Sequence, residues 1–303
     1  MNVSIVGYGA IGGLLMTRCL EHDISFDILA RESQRIDLTL EPMNKPPYDL
    51  GIETHQLGAT EIQDVVIVPV KAYQVRDVLS QLRPIISQNT CIVLLHNGMG
   101  SIEIIHDEFP HQPAILATTS HGAYKPSNNH VIQTGIGQSQ FGWLQKGQLL
   151  INEQKDLEHL LETLLSPAIR VDNMHKALWK KLAVNASINP MTAALKCRNG
   201  QLRERQHLEA IKSISREISD VATAQGILLS ASELYENTCQ VIEDTADNYS
   251  SMYQDVQASR KTEIEFISGY IVGLAKKSNI FVPETELWLE KVREIEAQYL
   301  SHH

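Results

Sequence analysis

A short apolar run, a glycine-rich turn and a helical pattern follow one another at the start of the chain. The run 3–6 reads Val-Ser-Ile-Val, the glycines are Gly7, Gly9 and Gly12, and the apolar spacing of a helix covers 14–20. In this order Gly7 permits a tight turn, Gly9 lets the backbone approach a pyrophosphate, and Gly12 lets the helix pack closely on the strand. Helix N-terminal amides would then face the phosphates. The feature favours a Rossmann-type dinucleotide-binding domain over a strand-to-helix turn without a ligand.

Further apolar runs predict more strands of the same sheet. We expect strands at 25–30, 64–70 and 91–95, of which 64–70 is buried and parallel, with Pro69 at the end of its hydrogen-bonded part. Helices are expected at 74–82 and 153–165, a loop or hairpin insertion at 41–61, and further strands within 114–141 with turns at 125–128 and 135–137.

Polar residues follow three of these strands: Arg31, Lys71 and Asn97. Each alone can be a loop-capping or solvated side chain, but ligands of open α/β sheets bind beyond the carboxyl ends of the strands. NAD-specific sites usually place an acid near Arg31, whereas a guanidinium suits a ribose 2′-phosphate. Although Glu32 follows directly, the pattern favours NADP(H) over NAD(H).

The second half of the chain has the pattern of long helices. They are expected at 175–194, 208–225, 231–245, 252–277 and 284–299, with an ordinary turn at Asn199 and Gly200. The predicted fold class is α/β, with a Rossmann-type dinucleotide-binding domain at 1–168 followed by an all-α domain at 169–303. A cleft between two such domains is the default small-molecule site.

The first of these helices carries an unusual polar line. Lys181, Asn185 and Asn189 are spaced four residues apart and share one helix face. A solvated stripe is the ordinary explanation, but Asn is a poor helix former, so donors and acceptors aimed at a ligand are an equal alternative. Pro190 lacks an amide donor and is expected to kink or end the helix.

Two further features concern the helix expected at 252–277. Glu263 heads an apolar line, where it is either a solvated acid or the partner of an active-site ammonium. The preceding Asn248, Ser250 and Ser251 would either cap the helix or hold a substrate carboxylate, and capping is favoured.

Composition excludes several other classes of protein. The chain has 303 residues, 26 basic against 36 acidic, and a net charge of −10, which disfavours binding to nucleic acid through a broad basic face. The cysteines at 19, 91, 197 and 239 are scattered, and the histidines lack ligand spacing, so no metal site is predicted. No leader and no apolar segment of bilayer length is evident, so we expect a soluble, cytoplasmic protein with no membrane partner.

Several motifs occur together in an order that resembles the ketopantoate reductase (2-dehydropantoate 2-reductase) family. They are Gly7-x-Gly9-x-x-Gly12, Lys71-Ala72, His96-Asn97-Gly98-Met99-Gly100, Leu178-Trp-Lys-Lys181-Leu-Ala-Val-Asn185, Ile188-Asn189-Pro190, Asn199-Gly200, and Ser250-Ser251-Met252 followed by Thr262-Glu263-Ile264. The resemblance runs from residue 1 to about residue 290. It implies NADPH-dependent reduction of 2-dehydropantoate to (R)-pantoate, toward pantothenate and coenzyme A.

The resemblance also assigns roles by position. Lys181 would be the general acid, and Glu263 would interact with it and with the cofactor. The cofactor would contact Gly7, Tyr8, Gly9, Ala10, Ile11, Gly12, Arg31, Lys71, Asn97, Ala123 and Glu263. The substrate would contact Asn97, Lys181, Asn185, Asn189, Asn199, Asn248 and Ser251. Gly122, Ala186 and Ser187 depart from the family's pattern and put the pocket volume, but not the reaction, in question.

Two alternatives stay open at this point. The chain could reduce another branched 2-oxo acid on the same scaffold, because one methylene in a pocket is worth only about 1–3 kcal/mol. It could instead be a catalytically silent NADP(H)-sensing module, although such a module needs only the glycine turn. The expected partner is a small-molecule 2-oxo acid, and the chain is expected to be a monomer or a homodimer.

Overall fold

A computed structural model describes residues 1–59 and 64–300 of the chain. Part of the insertion expected at 41–61 therefore lies outside the described residues. The chain divides into two compact units: Met1–His96 with Ser101–Met174, and Asn97–Gly100 with the residues from His175 onward. This division places 169–174 with the first unit, and the domain boundary expected after 168 stays a prediction.

The first unit holds a mixed sheet with helices. Its strands are β1 (Val3–Val6), β2 (Phe26–Ala30), β3 (Arg35–Glu41), β4 (Tyr48–Gln56), β5 (Val65–Val68), β6 (Cys91–Leu95), β7 (Ala114–Thr119), β8 (Gly122–Ser127), β9 (His130–Gly135), β10 (Ser139–Gln145) and β11 (Ala168–Arg170). Its helices are α1 (Ala10–Glu21), α2 (Val75–Leu82), α3 (Ser101–Glu108) and α4 (Ile151–Leu164), with a 3-10 turn at Ala72–Gln74 before α2.

The centre of this sheet is parallel and buried. Within the described ranges the strand order is β11-β10-β7-β6-β5-β1-β2-β4-β3-β9-β8. Strands β1, β5 and β6 are buried along their whole length, as expected for near-continuous apolar runs covered on both faces. The chain order reverses at β1, which pairs in parallel with β2 on one side and β5 on the other. This is the Rossmann-type arrangement that the sequence predicted, and Pro69 follows the end of β5 as expected.

Beyond β2 the sheet is extended by two hairpins. The insertion expected at 41–61 is a hairpin where it is described: β3 and β4 are antiparallel, and β4 pairs in parallel with β2. The turn predicted at 125–128 is wrong, because Pro126 belongs to β8 and the hairpin turns at 128–129. Strand β8 is the last in the order, and an edge strand tolerates a residue without an amide donor.

The second unit is helical over its described residues, and the predicted fold class is confirmed. Its helices are α5 (Met174–Leu195), α6 (Arg205–Ala224), α7 (Ala231–Asp244), α8 (Ser251–Gln257), α9 (Ile264–Lys277) and α10 (Pro283–Leu300), with a 3-10 helix at Asn199–Arg203. Among the described helices, none combines the length and apolar character needed to cross a bilayer.

The single helix predicted at 252–277 is wrong, because α8 and α9 are separate. Ser259 adopts a positive φ of 51°, and the Arg260 amide donates back to the Asp255 carbonyl, which ends α8. Thr262 then begins the next turn by accepting the Ile264 amide on its hydroxyl, 3.2 Å away. Glu263 is therefore the residue just before α9 and not part of a long helix.

Helix α5 does not end at Pro190, contrary to one of the two outcomes predicted; it continues to Leu195. The residues around the proline are buried, so packing holds this segment helical despite the missing amide. The Thr192 hydroxyl oxygen lies 2.8 and 3.1 Å from the Ile188 and Asn189 carbonyl oxygens, within the same turn.

Candidate active site

The glycine turn between β1 and α1 is built for close backbone approach. Gly7 has a φ of +82°, and its amide donates to the Leu29 carbonyl at 2.7 Å. A Cβ on Gly12 would lie 2.3 Å from the Gly7 carbonyl oxygen, so a side chain there cannot be accommodated without movement. Glycine is required at both positions for the turn itself.

Gly9 has a different role, because the space beside it is open. It caps α1 in an extended conformation, no side chain caps the helix, and no acid occupies the first turn. A Cβ built on Gly9 would meet nothing within 4 Å. The first amides of α1 thus face open space with a favourable helix dipole, and these residues fit a pyrophosphate.

Two predicted cofactor residues flank this turn. Exposed Arg31 follows β2 and partly buried Lys71 follows β5, the two strands that border β1. The Lys71 amide donates to the Gln74 side chain at 3.2 Å, which fixes the start of the 3-10 turn. Both cations therefore lie at the carboxyl edge of the sheet, where an anionic ligand of the glycine turn would extend.

Strand β8, which carries the predicted residue Ala123, lies against the glycine turn through Lys125. The Lys125 ammonium donates to the Tyr8 carbonyl at 3.1 Å and sits 4.2 Å from the centroid of the Tyr8 ring. Burial lowers the pKa of Lys125. This lysine was not predicted as a site residue, because 125–128 has the sequence pattern of a turn. No local pattern pairs residue 125 with residue 8.

In the second unit, the loop Asn97–Gly100 is held by α9. The Met99 amide donates to the Phe266 carbonyl at 2.9 Å. Gly98 has a φ of +87°, and a Cβ there would lie 2.8 Å from the same carbonyl oxygen. The predicted ligand-binding residue Asn97 therefore begins a loop whose path depends on a close backbone contact with α9.

Lys181 and Glu263 interact electrostatically in the second unit. Lys181 is partly buried on α5, and Glu263 is 4% exposed just before α9. Burial lowers the pKa of Lys181 to about 8, and the charge of Glu263 partly offsets that effect by raising it. The lysine is thus mostly protonated at neutral pH and close to its titration range, which suits a proton donor.

The two asparagines predicted to share a face with Lys181 do lie on the same continuous helix. Helix α5 contains all three residues at intervals of four, with Asn185 partly buried and Asn189 buried. A solvated stripe is excluded for Asn189 by its burial. The helix therefore presents one ammonium and two carboxamides along one line.

A second group of predicted residues meets at the start of α8. The Asn199 amide donates to the Asn248 carbonyl at 3.0 Å, and the Gly200 amide donates to the Ala246 carbonyl at 3.0 Å. Residue 199 begins a 3-10 helix, so the ordinary turn predicted there is wrong. These bonds hold the segment before α8 against the residues that follow α5.

Of the two polar atoms of the Asn199 side chain, only the nitrogen has a hydrogen-bond partner among the described residues. Its Nδ2 donates to the Thr245 hydroxyl at 2.9 Å, and that hydroxyl donates in turn to the Val241 carbonyl at 2.6 Å. The donor role of Thr245 fixes the orientation of the carboxamide. The buried Asn199 Oδ1 has no hydrogen-bond partner among residues 1–59 and 64–300. A buried acceptor of this kind suits a ligand that brings a donor.

Ser250 caps the N-terminus of α8, which is the role that the sequence favoured. Its hydroxyl accepts the Tyr253 amide at 3.1 Å and is hydrogen-bonded to the Thr192 hydroxyl at 2.7 Å. Ser251 and Asn248 are exposed beside it. Thr192, which was not predicted from the sequence, thus connects the end of α5 to the start of α8. Its spacing of three residues from Asn189 was the available signal.

The described residues contain no group of three or more His, Cys, Asp or Glu side chains arranged to hold a metal ion. The polar groups predicted for the helical part of the site are a lysine, a carboxylate, carboxamides and hydroxyls.

Comparison with known proteins covers both units. Residues 3–146 match the family model described as ketopantoate reductase PanE/ApbA, and 173–296 match the model of its C-terminal part. The chain is 33% identical to a 2-dehydropantoate 2-reductase of Vibrio cholerae serotype O1, covering 99% of both proteins.

Two solved structures share the fold. One is D-mandelate dehydrogenase with NADH and anilino(oxo)acetate, with a TM-score of 0.87, 24% identity and 99% of each chain covered. The other is the dimeric ketopantoate reductase of Staphylococcus aureus, with a TM-score of 0.82 and 21% identity over 99% of this chain and 100% of that one.

Proposed function

Because the chain belongs to the ketopantoate reductase family, we propose that it reduces 2-dehydropantoate to (R)-pantoate with NADPH. The observation that carries the proposal is the electrostatic interaction of Glu263 with Lys181, which lies on a helix that also presents Asn185 and Asn189. The reaction is a step toward pantothenate and coenzyme A.

The chemistry assigned to this chain is proton transfer and charge stabilisation. When bound, the reduced nicotinamide supplies a hydride to the carbonyl carbon of the substrate. Negative charge develops on the carbonyl oxygen, and Lys181 donates its Nζ proton to that oxygen. The neutral amine is then reprotonated from solvent. An ammonium held in a partly buried position stabilises developing negative charge more strongly than one in water.

Glu263 keeps the donor in its charged form. Without that carboxylate, burial alone would depress the pKa of Lys181 further. Glu263 thus favours the protonated lysine at neutral pH, and we also assign it a contact with the cofactor.

The remaining carboxamides and hydroxyl bind the substrate. Ketopantoate carries a carboxylate, which needs donors, and a hydroxyl, which needs an acceptor. Asn97, Asn185, Asn189, Asn248 and Ser251 offer donors. The buried Asn199 Oδ1 is an acceptor suited to the hydroxyl.

The dinucleotide is assigned to the first unit. Its pyrophosphate would be held by the amides of the segment from Gly7 to Gly12, and Lys71 and Ala123 would contact the cofactor. Arg31 follows β2 in an exposed position and supports binding of the 2′-phosphate of NADPH.

A second candidate function is reduction of a different 2-oxo acid with NADH. It is favoured by the fold likeness to D-mandelate dehydrogenase with NADH bound. The test is oxidation of NADPH and of NADH with ketopantoate, phenylglyoxylate and a small panel of other 2-oxo acids.

The proposal expects the highest kcat/KM for ketopantoate with NADPH. A higher value for phenylglyoxylate with NADH would favour the second candidate. Cofactor binding with no substrate-dependent oxidation would favour a sensing module.

We propose a cytoplasmic location, since all four cysteines lie in the described ranges as free thiols, as in reducing compartments. The dimeric state of the Staphylococcus aureus relative makes a homodimer the first assembly to test against a monomer.

A further inference from the structure

We propose that Glu296 is a positioning residue for proton transfer, because its carboxylate fixes the backbone segment that carries Glu263. The inference rests on the proposed function of Lys181 and Glu263. It concerns a residue of α10 that lies far from both in sequence and that would not touch substrate or cofactor.

The contact that carries the inference is a short hydrogen bond. The Thr262 amide donates to Glu296 Oε1 at 2.6 Å, and Glu296 is 8% exposed. Thr262 lies in the break between α8 and α9, where a backbone amide has no helical partner. A buried amide must find an acceptor, and here the acceptor is a charged side chain from another helix.

Hydrogen bonds on both sides of Glu263 fix the path of its backbone. On one side, the Thr262 hydroxyl accepts the Ile264 amide at 3.2 Å. On the other, the Glu263 carbonyl accepts the Phe266 and Ile267 amides at 3.0 and 3.1 Å. The backbone is therefore fixed both before and after Glu263, and Glu296 holds the part before it, at Thr262.

A shift of the Thr262 backbone would move the Glu263 carboxylate and so change the pKa of Lys181. The Glu263 charge raises the pKa of Lys181 against the effect of burial, so a displaced carboxylate would leave that pKa lower. We therefore expect Glu296 to influence the pKa of Lys181 through the backbone of Thr262 and Glu263.

Two neighbours of Glu296, Asp255 and Tyr299, are hydrogen-bonded to Arg260. Asp255 from α8 accepts from Arg260 Nε at 3.1 Å, and the Tyr299 hydroxyl donates to the Arg260 carbonyl at 3.0 Å. Burial, with Glu296 and Asp255, raises the pKa of Tyr299 to about 12. That value lies well above the range in which Lys181 titrates.

The chain offers a matched control in Glu217. It is also 8% exposed and accepts backbone amides at α10, from Glu284 and Thr285 at 2.9 Å each. It stabilises the same helix but is not bonded to the segment that carries Glu263.

The experiment compares Glu296→Ala, Glu296→Gln and Glu217→Ala in the full chain. The pKa of Lys181 is measured by NMR titration of isotope-labelled lysine, and kcat and KM are measured across pH. In Glu296→Ala we expect the Lys181 pKa to fall and kcat to drop about tenfold, with a smaller change in KM. Glu296→Gln keeps an acceptor for the Thr262 amide and should restore most of both properties.

Glu217→Ala should lose thermal stability but leave the Lys181 pKa unchanged. If Glu296→Ala shifted that pKa no more than Glu217→Ala does, the inference would be overturned. If Glu296→Ala does not fold, Glu296→Asp carries the same expectation, because its shorter side chain reaches the amide poorly. A shifted pKa together with full turnover by Lys181→Ala would refute the proposed function instead, while leaving the link from Glu296 to Lys181 intact.

Discussion

Met99 donates its backbone amide to the carbonyl oxygen of Phe266 across 2.9 Å. The Phe266 amide in turn donates to the Glu263 carbonyl at 3.0 Å. The loop that carries Asn97 and the residue that acts on Lys181 are thus connected through one turn of backbone at the start of α9. Asn97 and Glu263 are 166 positions apart in the numbering (263 − 97), yet two consecutive hydrogen bonds relate their positions.

Gly98→Ala should disturb this connection. A Cβ at Gly98 would lie 2.8 Å from the Phe266 carbonyl oxygen, and the φ of +87° is strained for alanine. We expect a loss of thermal stability and a clear rise in KM for the substrate. Gly226→Ala is the control, because Gly226 has a φ of +77° but open space around its Cβ. It should cost about 1–2 kcal/mol of stability from backbone strain and leave KM unchanged. Equal kinetic effects in both variants would contradict the assignment.

Gly9→Ala should separate cofactor binding from folding. The added Cβ meets no protein atom within 4 Å but occupies the space in front of the α1 amides. We expect parental thermal stability and a Kd for NADPH raised by about tenfold or more, the equivalent of one or two lost phosphate hydrogen bonds. Gly12→Ala should do the reverse and destabilise the fold, because its Cβ would clash with the Gly7 carbonyl. Unchanged NADPH affinity in Gly9→Ala, measured by calorimetry, would rule out this anion site.

Arg31→Ala should change cofactor preference. Loss of a guanidinium from a 2′-phosphate should weaken NADPH binding roughly 10- to 100-fold and NADH binding much less. Arg170→Ala, in β11 at one end of the sheet order and six strands from β2, is the control and should affect neither cofactor. Comparable losses for both cofactors in Arg31→Ala would remove the argument for the 2′-phosphate.

Much of the first unit could be predicted because its signals are local. The runs 3–6 and 91–95 are apolar and β-branched, and they became β1 and β6 at the same bounds. Burial on both faces gives such strands a continuous apolar pattern that needs no knowledge of distant residues.

The errors arose where distant contacts decide the local structure. The break between α8 and α9 depends on an acceptor from Glu296, 34 residues beyond Thr262. Helix α5 continues through Pro190 because the residues around the proline are buried. Helix propensity alone does not take this packing into account. The Lys125–Tyr8 and Asn199–Asn248 contacts join segments with no shared pattern. In the candidate site, the residue types and the shared helix face of Lys181, Asn185 and Asn189 could be predicted from the sequence. The contacts that hold the loops could not.

Asn199→Ala should affect the substrate more than the fold. The variant removes the buried Oδ1 that lacks a protein partner among the described residues. We expect KM for ketopantoate to rise about tenfold, the equivalent of one hydrogen bond, with NADPH affinity unchanged. Thr245→Val removes the other partner of the same side chain and should cost stability with a smaller change in KM. If Thr245→Val raised KM as much as Asn199→Ala, the role of Asn199 would be purely structural.

The pH dependence of turnover provides the most direct test of the account. The proposed donor Lys181 must be protonated, and its pKa is lowered to about 8, so kcat should fall as the pH rises through that value. The measurement is kcat across pH for the parent, Lys181→Ala and Lys180→Ala, the last removing an exposed neighbouring ammonium on the same helix.

We predict that Lys181→Ala lowers kcat by about 10²–10⁴-fold and abolishes the decline near pH 8, with a smaller loss of NADPH affinity. Lys180→Ala should keep the parental rate and profile. Turnover of ketopantoate by Lys181→Ala at the parental rate would contradict the central claim that this lysine is the proton donor.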